Sequence, residues 1–349
     1  MILKGLTLAE LEEFFLSINQ PKYRAKQLFN WIYNHNVDNY DVMDNLPKDL
    51  RKYLQENTIL DTLSPIKELF DDVEYTKKIV YQTLDGKKIE SVIIPDESRN
   101  RTTLCLSTQV GCPLDCKFCA TGQMGYIRNL SAGEIVDQYF ITQRNLQKQI
   151  TNIVYMGMGE PLINFEATIK SLQIFTHDMA KKLSRHHITI STSGIPEKIK
   201  LLADLGIRVK LALSLHSCFN DIRTQIMPIN KKYPLEKVIE ALKYYYNVTN
   251  QRITYEYTMF EGINDRDEDI EALSKLAAKI PSKINIIPFN SISHMIKDEN
   301  SISAKLKPTP MDRIEHFANQ LRNRNVTVFI RNTQGNRIKA ACGQLANAE

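Results

Sequence analysis

From about residue 100 to the end of the chain, short apolar segments typical of β-strands alternate with longer segments of helical periodicity. Seven segments have the strand pattern: Thr102–Ser107, Asn152–Met156, His187–Ser191, Val209–Ser214, Thr254–Met259, Lys283–Pro288 and Thr327–Arg331. Helical segments lie between them, and one opens with the capping box Ser131-Ala-Gly-Glu134. Repeated strand–helix units predict an α/β fold with a parallel sheet, in which functional side chains lie at the carboxyl ends of the strands.

The residues before this repeat are organised differently. The capping box Thr7-Leu-Ala-Glu10 predicts one helix, and Tyr23–Tyr33 and Leu46–Leu54 predict two more, so we expect a small helical module. Two alternating segments, Tyr75–Leu84 and Lys88–Ile94, flank Asp85-Gly86 and predict a β-hairpin. The predicted domains are a helical N-terminal domain at 1–62, a linker and β-hairpin extension at 63–98, and a core with a C-terminal tail at 99–349.

Composition narrows the setting in which the chain works. The N-terminal sequence MILKGLTLAELEEF has no cationic segment followed by an apolar one, so we expect no secretory signal. No apolar run reaches the roughly 20 residues that a bilayer span needs, so we expect a cytoplasmic protein without a membrane partner. Cytosolic thiols stay reduced, and clustered cysteines there indicate metal binding or catalysis. The net charge of +5 permits an RNA partner without requiring one.

Four of the six cysteines lie between Cys105 and Gly122, and Cys112, Cys116 and Cys119 have the spacing C-x3-C-x2-C. Glycine, proline and aspartate in this segment predict a loop that can fold its thiols around one centre. Three such thiolates suit an iron–sulfur cluster, but a four-iron cluster is usually bound by four ligands. Either a distant cysteine completes the set or one iron stays open. The alternative is structural zinc, which usually needs a second C-x2-C knuckle or histidines, and the sequence has no second knuckle.

Polar motifs follow several of the predicted strands. These are Met156-Gly-Met-Gly159-Glu160, Ser191-Thr-Ser-Gly194, Ser214-Leu-His216 and the single residue Asn290. A glycine lets the backbone approach a ligand closely, and a carboxylate such as Glu160 can accept the protons of an amino group. The alternative is that these are ordinary turn and cap residues. Because all four sets end strands and face one rim, we favour a shared binding site.

The cysteine spacing, with Phe118 before the last cysteine, resembles the signature of radical S-adenosylmethionine (SAM) enzymes. The resemblance implies a partial (β/α)6 barrel and a 4Fe–4S cluster held by Cys112, Cys116 and Cys119. It also implies that SAM binds the open iron through its amino and carboxylate groups. An electron from the cluster would then cleave SAM to a 5′-deoxyadenosyl radical.

Further motifs make the resemblance more specific: QVGC, MGMGEPL, ISTSG, LSLH, MPINKKYP, INIIPFN and AACGQLA. Together they resemble the adenine-C2 methyltransferases that modify 23S rRNA and tRNA, from Cys105 to the end and more weakly in the N-terminal module. The resemblance implies a set of SAM contacts: Gly159, Glu160, Ser191, Ser214, Leu215, His216 and Asn290. The segment Ser291–Pro308 falls outside the resemblance, and we expect a loop there.

Three residues outside the cluster loop gain roles from this resemblance. Taken alone, Cys105 and Cys342 are small buried hydrophobes and Glu90 is a solvated residue of the hairpin. The resemblance implies that Cys342 accepts a methyl group from one SAM, and that a radical from a second SAM removes hydrogen from that methyl. The carbon radical then adds to carbon 2 of adenine, Glu90 takes a proton, and Cys105 releases the adduct with a Cys105–Cys342 disulfide. Cys218 has no counterpart, and we expect no role for it.

The resemblance also implies partners for a monomeric protein: 23S rRNA and tRNA, an electron donor such as flavodoxin, and a disulfide reductant. The N-terminal domain would bind RNA, with the target base splayed into the site. Basic and aromatic residues that suit this contact are Lys22, Tyr23, Arg24, Lys26, Trp31, Tyr33, Lys48, Arg51, Lys52, Lys231, Lys232, Tyr233, Arg322 and Arg324. The alternative is that these lysines and arginines are merely solvated.

Two other functions stay open on the sequence. One is the related enzyme type that methylates carbon 8 of adenosine in 23S rRNA, although Pro161 and the spelling Gln109-Val-Gly111 favour carbon 2. The other belongs to a different class, a non-catalytic iron–sulfur or zinc protein that binds RNA. Metal analysis and a SAM cleavage assay would separate this second alternative from both enzymes.

Overall fold

The structure is a computed structural model that describes residues 1–296 and 298–346. Its strands, numbered along the chain, are β1 Leu63–Phe70, β2 Lys77–Thr83, β3 Lys88–Asp96, β4 Arg101–Cys105, β5 Gln109–Gly111, β6 Tyr126–Asn129, β7 Asn152–Tyr155, β8 Ile188–Thr192, β9 Lys210–Ser214, β10 Ile253–Met259, β11 Ser282–Pro288 and β12 Val328–Ile330. Its α-helices are α1 Leu8–Ser17, α2 Tyr23–Asn30, α3 Lys48–Asn57, α4 Ala120–Gln123, α5 Ala132–Asn145, α6 Phe165–Phe175, α7 Pro196–Asp204, α8 Asn220–Ile226, α9 Leu235–Thr249, α10 Asp267–Ala277, α11 Ile302–Lys305 and α12 Met311–Arg322. In residues 1–296 and 298–346, none of the helices combines the length and the apolar character that a membrane span needs.

One large sheet has the strand order β1-β2-β3-β4-β7-β8-β9-β10-β11-β12. From β4 to β12 all neighbouring pairs in this sheet are parallel. Because each parallel strand lies beside its predecessor, the chain winds in one direction, as in a barrel. The edge strands β1 and β12 do not pair with each other in the described part of the chain, so the barrel is open. The predicted α/β fold and partial barrel are confirmed, and the seven predicted strands agree with the observed ones within two residues at each end.

The β-extension consists of three antiparallel strands that continue the barrel sheet beyond β4. The predicted hairpin is present as β2 and β3, with Gly86 in the left-handed region at φ 78°. The sequence prediction missed β1. Most side chains of β1 are exposed, so it lacks an alternating apolar pattern, and its pairing with β2 is irregular after Pro65. These features are typical of an edge strand, which pairs on one side only.

The N-terminal module contains the three predicted helices, with changed boundaries for the second and the third. The capping box is formed: the Thr7 hydroxyl accepts the N–H of Glu10, whose carboxylate accepts the N–H of Thr7. After α2, the chain continues as a wider π-helical turn over Trp31–His35. The third helix begins at Lys48 rather than Leu46, because Pro47 restricts the residue before it to extended conformations.

The module packs closely on α5 of the barrel. A Cβ atom on Gly5 would lie only 2.2 Å from the backbone nitrogen of Gly133, so the two backbones touch. Beside this contact, Lys4 Nζ lies 3.1 Å from Asp61 and 3.2 Å from Asp137, and the side chains of Lys4 and Asp137 are fully buried. One hydrophobic core runs from the module into the barrel. The division at residues 62 and 98 stays a prediction.

Candidate active site

The carboxyl ends of the parallel strands surround one cavity. The C-terminal tail, which is the segment that follows β12, forms part of the cavity wall. The residues predicted from the sequence that line it are Cys105, Cys112, Cys116, Cys119, Gly159, Glu160, Ser191, Ser214, His216, Asn290 and Cys342. Two further predicted residues, Leu215 and Glu90, do not line it. A barrel brings residues that are far apart in sequence to one rim, because all its parallel strands end there.

A short ribbon of β5 and β6 shapes the cysteine loop. Gly111 has a φ of 77°, and a Cβ atom there would lie 2.0 Å from the carbonyl oxygen of Gly125, so only glycine fits. The N–H of Cys112 donates to that same carbonyl at 2.8 Å, and the N–H of Cys119 donates to the carbonyl of Cys116 at 3.1 Å. The loop therefore holds its three thiols around one end of the cavity.

The buried environment of the cysteine loop suits its thiols to bind a metal. Burial raises the pKa of Cys112 to about 12 and raises the pKa of Cys116 well above its usual range, and the nearby Cys119 adds to both. Such thiols give up their protons when metal binds. Among the described residues, no group of three or more His, Cys, Asp or Glu side chains is arranged to hold a metal ion. The donor set fits a multi-iron cluster, which spreads its thiolate ligands over several irons.

Glu160 has the environment of a receptor for an amino group. Its carboxylate accepts the N–H of Ser193 at 2.7 Å and that of Leu162 at 3.0 Å. Burial raises the pKa of Glu160, and these neutral donors only partly oppose the rise. Gly159 has a φ of 97°, and a Cβ atom there would meet the Gln109 side chain at 2.5 Å. In the part of the chain that the structure describes, this buried carboxylate has no cationic partner, and such a group fits the ammonium group of SAM.

His216 presents a neutral ring to the cavity. Its Nδ1 accepts the backbone N–H of Thr258 at 2.9 Å, which leaves the ring proton on Nε2. Burial, and next the charge of Arg223, lower the pKa of His216 to about 3. The edge of its ring meets Phe118 of the cysteine loop, with ring centres 4.6 Å apart. The adjacent Leu215 is fully buried behind the cavity wall, where its backbone N–H donates to the backbone carbonyl of Glu256.

Cys342 is positioned by bonds of its tail to the barrel. Asn290 donates its side-chain N–H to the carbonyl of Cys342 at 3.2 Å, and Ala120 donates its N–H to the carbonyl of Gly343 at 2.7 Å. The Cys342 side chain is open to solvent in the cavity, yet the surrounding protein removes most of its hydration. This desolvation raises the pKa of Cys342 to about 11.

Cys105 ends β4, where it lies opposite Val92 of β3. Burial, and next the proximity of Cys342, raise the pKa of Cys105 to about 12. Both cysteines are free thiols. The structure thus brings together two thiols that are more than two hundred residues apart in the sequence.

Glu90 lies behind the tail rather than in the cavity wall. It is fully buried, with Oε1 3.1 Å from Lys78 Nζ, and Oε2 accepts the N–H of Ala346 at 3.1 Å. The alternative of a solvated hairpin residue is therefore wrong. Strand β3 places Glu90 on the same face as Val92 and Ile94, which do line the cavity.

Two charged residues that the sequence analysis missed, Glu256 and Arg331, line the cavity. Glu256 lies in the middle of β10, whose residues are all buried. Its Oε1 accepts N–H groups from Asn285 at 2.9 Å and Arg331 at 3.3 Å. The signal in the sequence is a lone charged residue in an otherwise uncharged strand, because a buried charge needs a partner or a function.

The segments expected to contact RNA lie largely on the surface. Tyr23 is exposed, and the guanidinium of Arg24 lies 4.8 Å from its ring centre. Tyr33, however, is wrong as a surface aromatic: it is fully buried, accepts the N–H of Gly5 at 2.8 Å and donates to the carbonyl of Leu6 at 3.1 Å. Tyr33 follows the same helical periodicity as its apolar neighbours, so its side chain points inward.

Two remaining expectations concern segments without an assigned role. Ser291–Pro308 is not simply a loop, since it contains a 3-10 turn at Ser293–Met295 and helix α11; Lys297 lies outside the described residues. Cys218 is partly buried and does not line the cavity. Burial, and next the charge of Asp269, raise the pKa of Cys218 to about 12, in keeping with the inert role expected for it.

Comparisons with known proteins show which families the chain is similar to. Residues 106–277 match the radical SAM superfamily, and residues 1–60 match the family described as ribosomal RNA large subunit methyltransferase N-terminal domain. Similar proteins include the probable dual-specificity RNA methyltransferase RlmN of Thermotoga sp. (strain RQ2), 41% identical over 345 residues that cover 98% of this chain and 96% of the relative. The protein of the same name from Clostridium novyi (strain NT) is 40% identical, with the same two coverages.

Solved structures give the same picture. The crystal structure of a radical SAM methyltransferase from Sphaerobacter thermophilus is 40% identical, with a TM-score of 0.92 and 99% of both chains covered. HydG, a maturase of the FeFe-hydrogenase, is 12% identical with a TM-score of 0.50 over 70% of this chain. The second likeness concerns the fold alone.

Proposed function

The chain belongs to the radical SAM family of dual-specificity RNA methyltransferases named RlmN, and from this premise we propose that it methylates carbon 2 of adenosine in 23S rRNA and in tRNA. The family's cofactors are a 4Fe–4S cluster and SAM. The observation that carries the proposal is the shared cavity. The free thiols of Cys105 and Cys342 line the same cavity as the three closely spaced cysteines.

The residues proposed to hold the cofactors are those whose environment fits them. Cys112, Cys116 and Cys119 would hold the cluster. Glu160 would receive the amino group of SAM, and the residues proposed for the rest of that molecule are Gly159, Ser191, Ser214, Leu215, His216 and Asn290. Leu215 would act through packing, since its side chain lies behind the wall. When bound, these cofactors supply a methyl group and a radical that removes a hydrogen atom from a methylated cysteine.

Cys342 is proposed as the methyl acceptor. Its thiol is open to the cavity, but the raised pKa means that it must lose a proton as the sulfur attacks. Arg331 lines the same cavity and opposes the rise in the Cys342 pKa, so its charge favours the thiolate. A methylated cysteine explains why the enzyme needs no direct transfer to carbon 2 of adenine, a position that is not nucleophilic.

Glu90 and Cys105 are proposed to complete the reaction on the covalent RNA adduct. The adduct first gives up its unpaired electron, which the oxidised iron–sulfur cluster would take back, and Glu90 then accepts the proton from carbon 2. The Cys105 thiol loses its proton as its sulfur bonds to the Cys342 sulfur. The bond from Cys342 to the methylene carbon breaks, and that carbon gains a proton to become the methyl group. The product is a Cys105–Cys342 disulfide, so an external reductant must restore both thiols. An electron donor such as flavodoxin, a cytoplasmic location and a monomeric state belong to the same proposal.

Nucleoside mass spectrometry tests the proposed product. Ribosomal and transfer RNA from cells with and without the protein should differ in 2-methyladenosine. A difference in 8-methyladenosine instead would favour the related carbon-8 chemistry. A difference in only one RNA class would contradict the proposed dual substrate.

A Cys105→Ala variant tests the proposed roles of the thiols. The variant should bind iron, methylate Cys342 and cleave SAM, but remain attached to RNA, because no thiol is left to attack Cys342. A denaturing gel should show a slower band that ribonuclease removes. The double variant Cys105→Ala, Cys342→Ala is the control and should show no such band. Normal turnover by Cys105→Ala would refute the assigned role.

A further inference from the structure

Arg223 is the largest fully buried side chain among the described residues, and nothing in the proposed reaction uses it. It lies on α8, one turn before Ile226, and it is absent from the cavity lining. Its guanidinium donates to the carbonyls of Leu215 at 3.1 Å, Ser193 at 2.6 Å and Ser214 at 3.2 Å, and to Asn230 Oδ1 at 2.7 Å. These acceptors are all neutral.

The guanidinium therefore lacks a counter-ion. In residues 1–296 and 298–346, no carboxylate forms an ion pair with Arg223. A charge buried without an opposite charge destabilises the folded protein, because it loses its hydration without gaining a counter-ion. Burial lowers the pKa of Arg223 to about 10, which still leaves it charged at neutral pH. An uncompensated cation inside a protein calls for an anion that the polypeptide itself does not supply.

The cysteine loop, where a bound cluster would add negative charge, packs on the same helix. The N–H of Lys117 donates to the carbonyl of Ile226 at 2.9 Å, and Cys116 packs in the apolar cluster that includes Ile226. Arg223 opposes the rise that burial causes in the pKa of Cys116, so the two groups interact through space. Arg223 thus lies outside the cavity wall on the helix that contacts the cysteine loop.

We propose that Arg223 is a positioning residue that provides the buried counter-charge of the iron–sulfur cluster and raises its reduction potential. Reduction adds one negative charge to the cluster, and a fixed cation close by favours the more negative state. The same guanidinium ties the segment after β8, which carries Ser193, to the end of β9 at Ser214. It therefore links the geometry of the SAM site to the electrostatics of the cluster. This inference rests on the proposed cysteine ligands.

The test is a potentiometric titration of the anaerobically reconstituted full-length protein with dithionite, followed by electron paramagnetic resonance. Arg223→Gln removes the charge but keeps polar groups, and it should lower the potential by about 59 mV, a tenfold change in the one-electron equilibrium. Arg223→Lys keeps the charge, and its reduction potential should stay close to that of the wild type.

Asn230 supplies a matched pair that leaves Arg223 in place. Asn230→Asp puts a carboxylate where Asn230 Oδ1 now accepts from Arg223 at 2.7 Å, so it neutralises the guanidinium and should lower the potential as Arg223→Gln does. Asn230→Ala removes the same hydrogen bond but leaves the charge uncompensated, and it should keep the wild-type potential. This pair decides the question even if Arg223→Gln fails to fold.

Each outcome has one meaning. Wild-type potentials in Asn230→Asp and in folded Arg223→Gln would overturn the proposal and leave Arg223 a structural residue. Equal shifts in Asn230→Ala and Asn230→Asp would do the same, because the charge would not matter. Loss of the cluster from Asn230→Asp but not from Asn230→Ala would support the counter-charge. A wild-type protein that forms no 4Fe–4S signal, or a Cys116→Ala protein that keeps all its iron, would instead count against the proposed ligands.

Discussion

At the scale of single residues, the site depends on titratable groups that burial shifts away from their usual behaviour. The thiols of Cys105 and Cys342 have raised pKa values, and the His216 imidazole has a lowered one. In each case burial is the largest cause, because a low-dielectric surrounding disfavours the charged form. All three groups are therefore neutral at pH 7 in this conformation, and chemistry at the thiols has to begin with the loss of a proton.

His216 should make stability depend on pH in a defined window. Between pH 6.5 and about 3 the unfolded chain protonates this histidine while the folded protein does not. The free energy of unfolding should therefore fall by about 1.4 kcal/mol per pH unit below 6.5, with no contribution from His216 above it. Urea unfolding of His216→Asn, whose Oδ1 can replace Nδ1 as the acceptor from Thr258, should show a shallower pH dependence.

The control for this measurement is His186→Asn, since His186 is exposed. Its pH dependence should match that of the wild type. His216 is not the source of the pH dependence if His216→Asn and the wild type lose stability in parallel from pH 7 to pH 5.

Lys78 should contribute strongly to stability because it is the only cation within ion-pair distance of Glu90 in the described structure. Lys78→Met leaves a buried carboxylate without its partner, which should cost about 3–5 kcal/mol in the free energy of unfolding. Lys77→Met on the same strand is a matched control, since its pair with Glu68 is partly exposed and should be worth about 1 kcal/mol or less.

Chemical denaturation measures both effects. A double variant Lys78→Met, Glu90→Leu removes the stranded charge and should recover part of the loss. Equal effects of Lys77→Met and Lys78→Met would mean that burial does not strengthen the Lys78–Glu90 pair.

At the scale of elements, the cysteine loop depends on one backbone contact between β5 and the residue before β6. Gly111→Ala places a Cβ atom where it would overlap the Gly125 carbonyl, and it also strains a φ of 77°. The ribbon should open, and iron content after anaerobic reconstitution should fall well below that of the wild type.

Gly125→Ala is the control for this contact. Gly125 has the same φ of 77°, but nothing lies within 4 Å of the position of its Cβ atom. It should lose only about 1 kcal/mol of stability and keep its iron. Full iron binding by Gly111→Ala would show that the loop does not need the close contact.

At the scale of the whole molecule, the N-terminal module is fixed to the barrel rather than tethered to it. Gly5→Ala would push a Cβ atom into the backbone of Gly133 and disturb the buried Lys4–Asp137 pair beside it. The variant should lose about 3 kcal/mol of stability. Limited proteolysis should then release the module from the barrel.

The comparison variant is Gly206→Ala, which has a φ of 65° and nothing within 4 Å of the Cβ position. It should resist proteolysis between the module and the barrel as the wild type does. If Gly5→Ala behaves like Gly206→Ala, the close backbone contact is not what holds the module in place.

The sequence alone determined the parallel α/β sheet, the capped helices α1 and α5, and the cysteine loop. These depend on local signals: strand and helix periodicity, capping boxes, and the spacing of cysteines over a few residues. The strand-end motifs could be placed on one rim for the same reason, because parallel strands share a direction. The resemblance to a known family, rather than any local pattern, singled out Cys342, Cys105 and Glu90.

Only the tertiary structure decided which side chains are buried, paired or left without a partner. The sequence cannot show that Tyr33 points inward, that Glu90 is paired with Lys78, or that Arg223 has only neutral acceptors. These facts depend on contacts between residues far apart in the chain, and each is set by packing across elements rather than by neighbours in sequence. The electrostatics of the site follows from those contacts, since burial and distance fix the strength of every charge interaction.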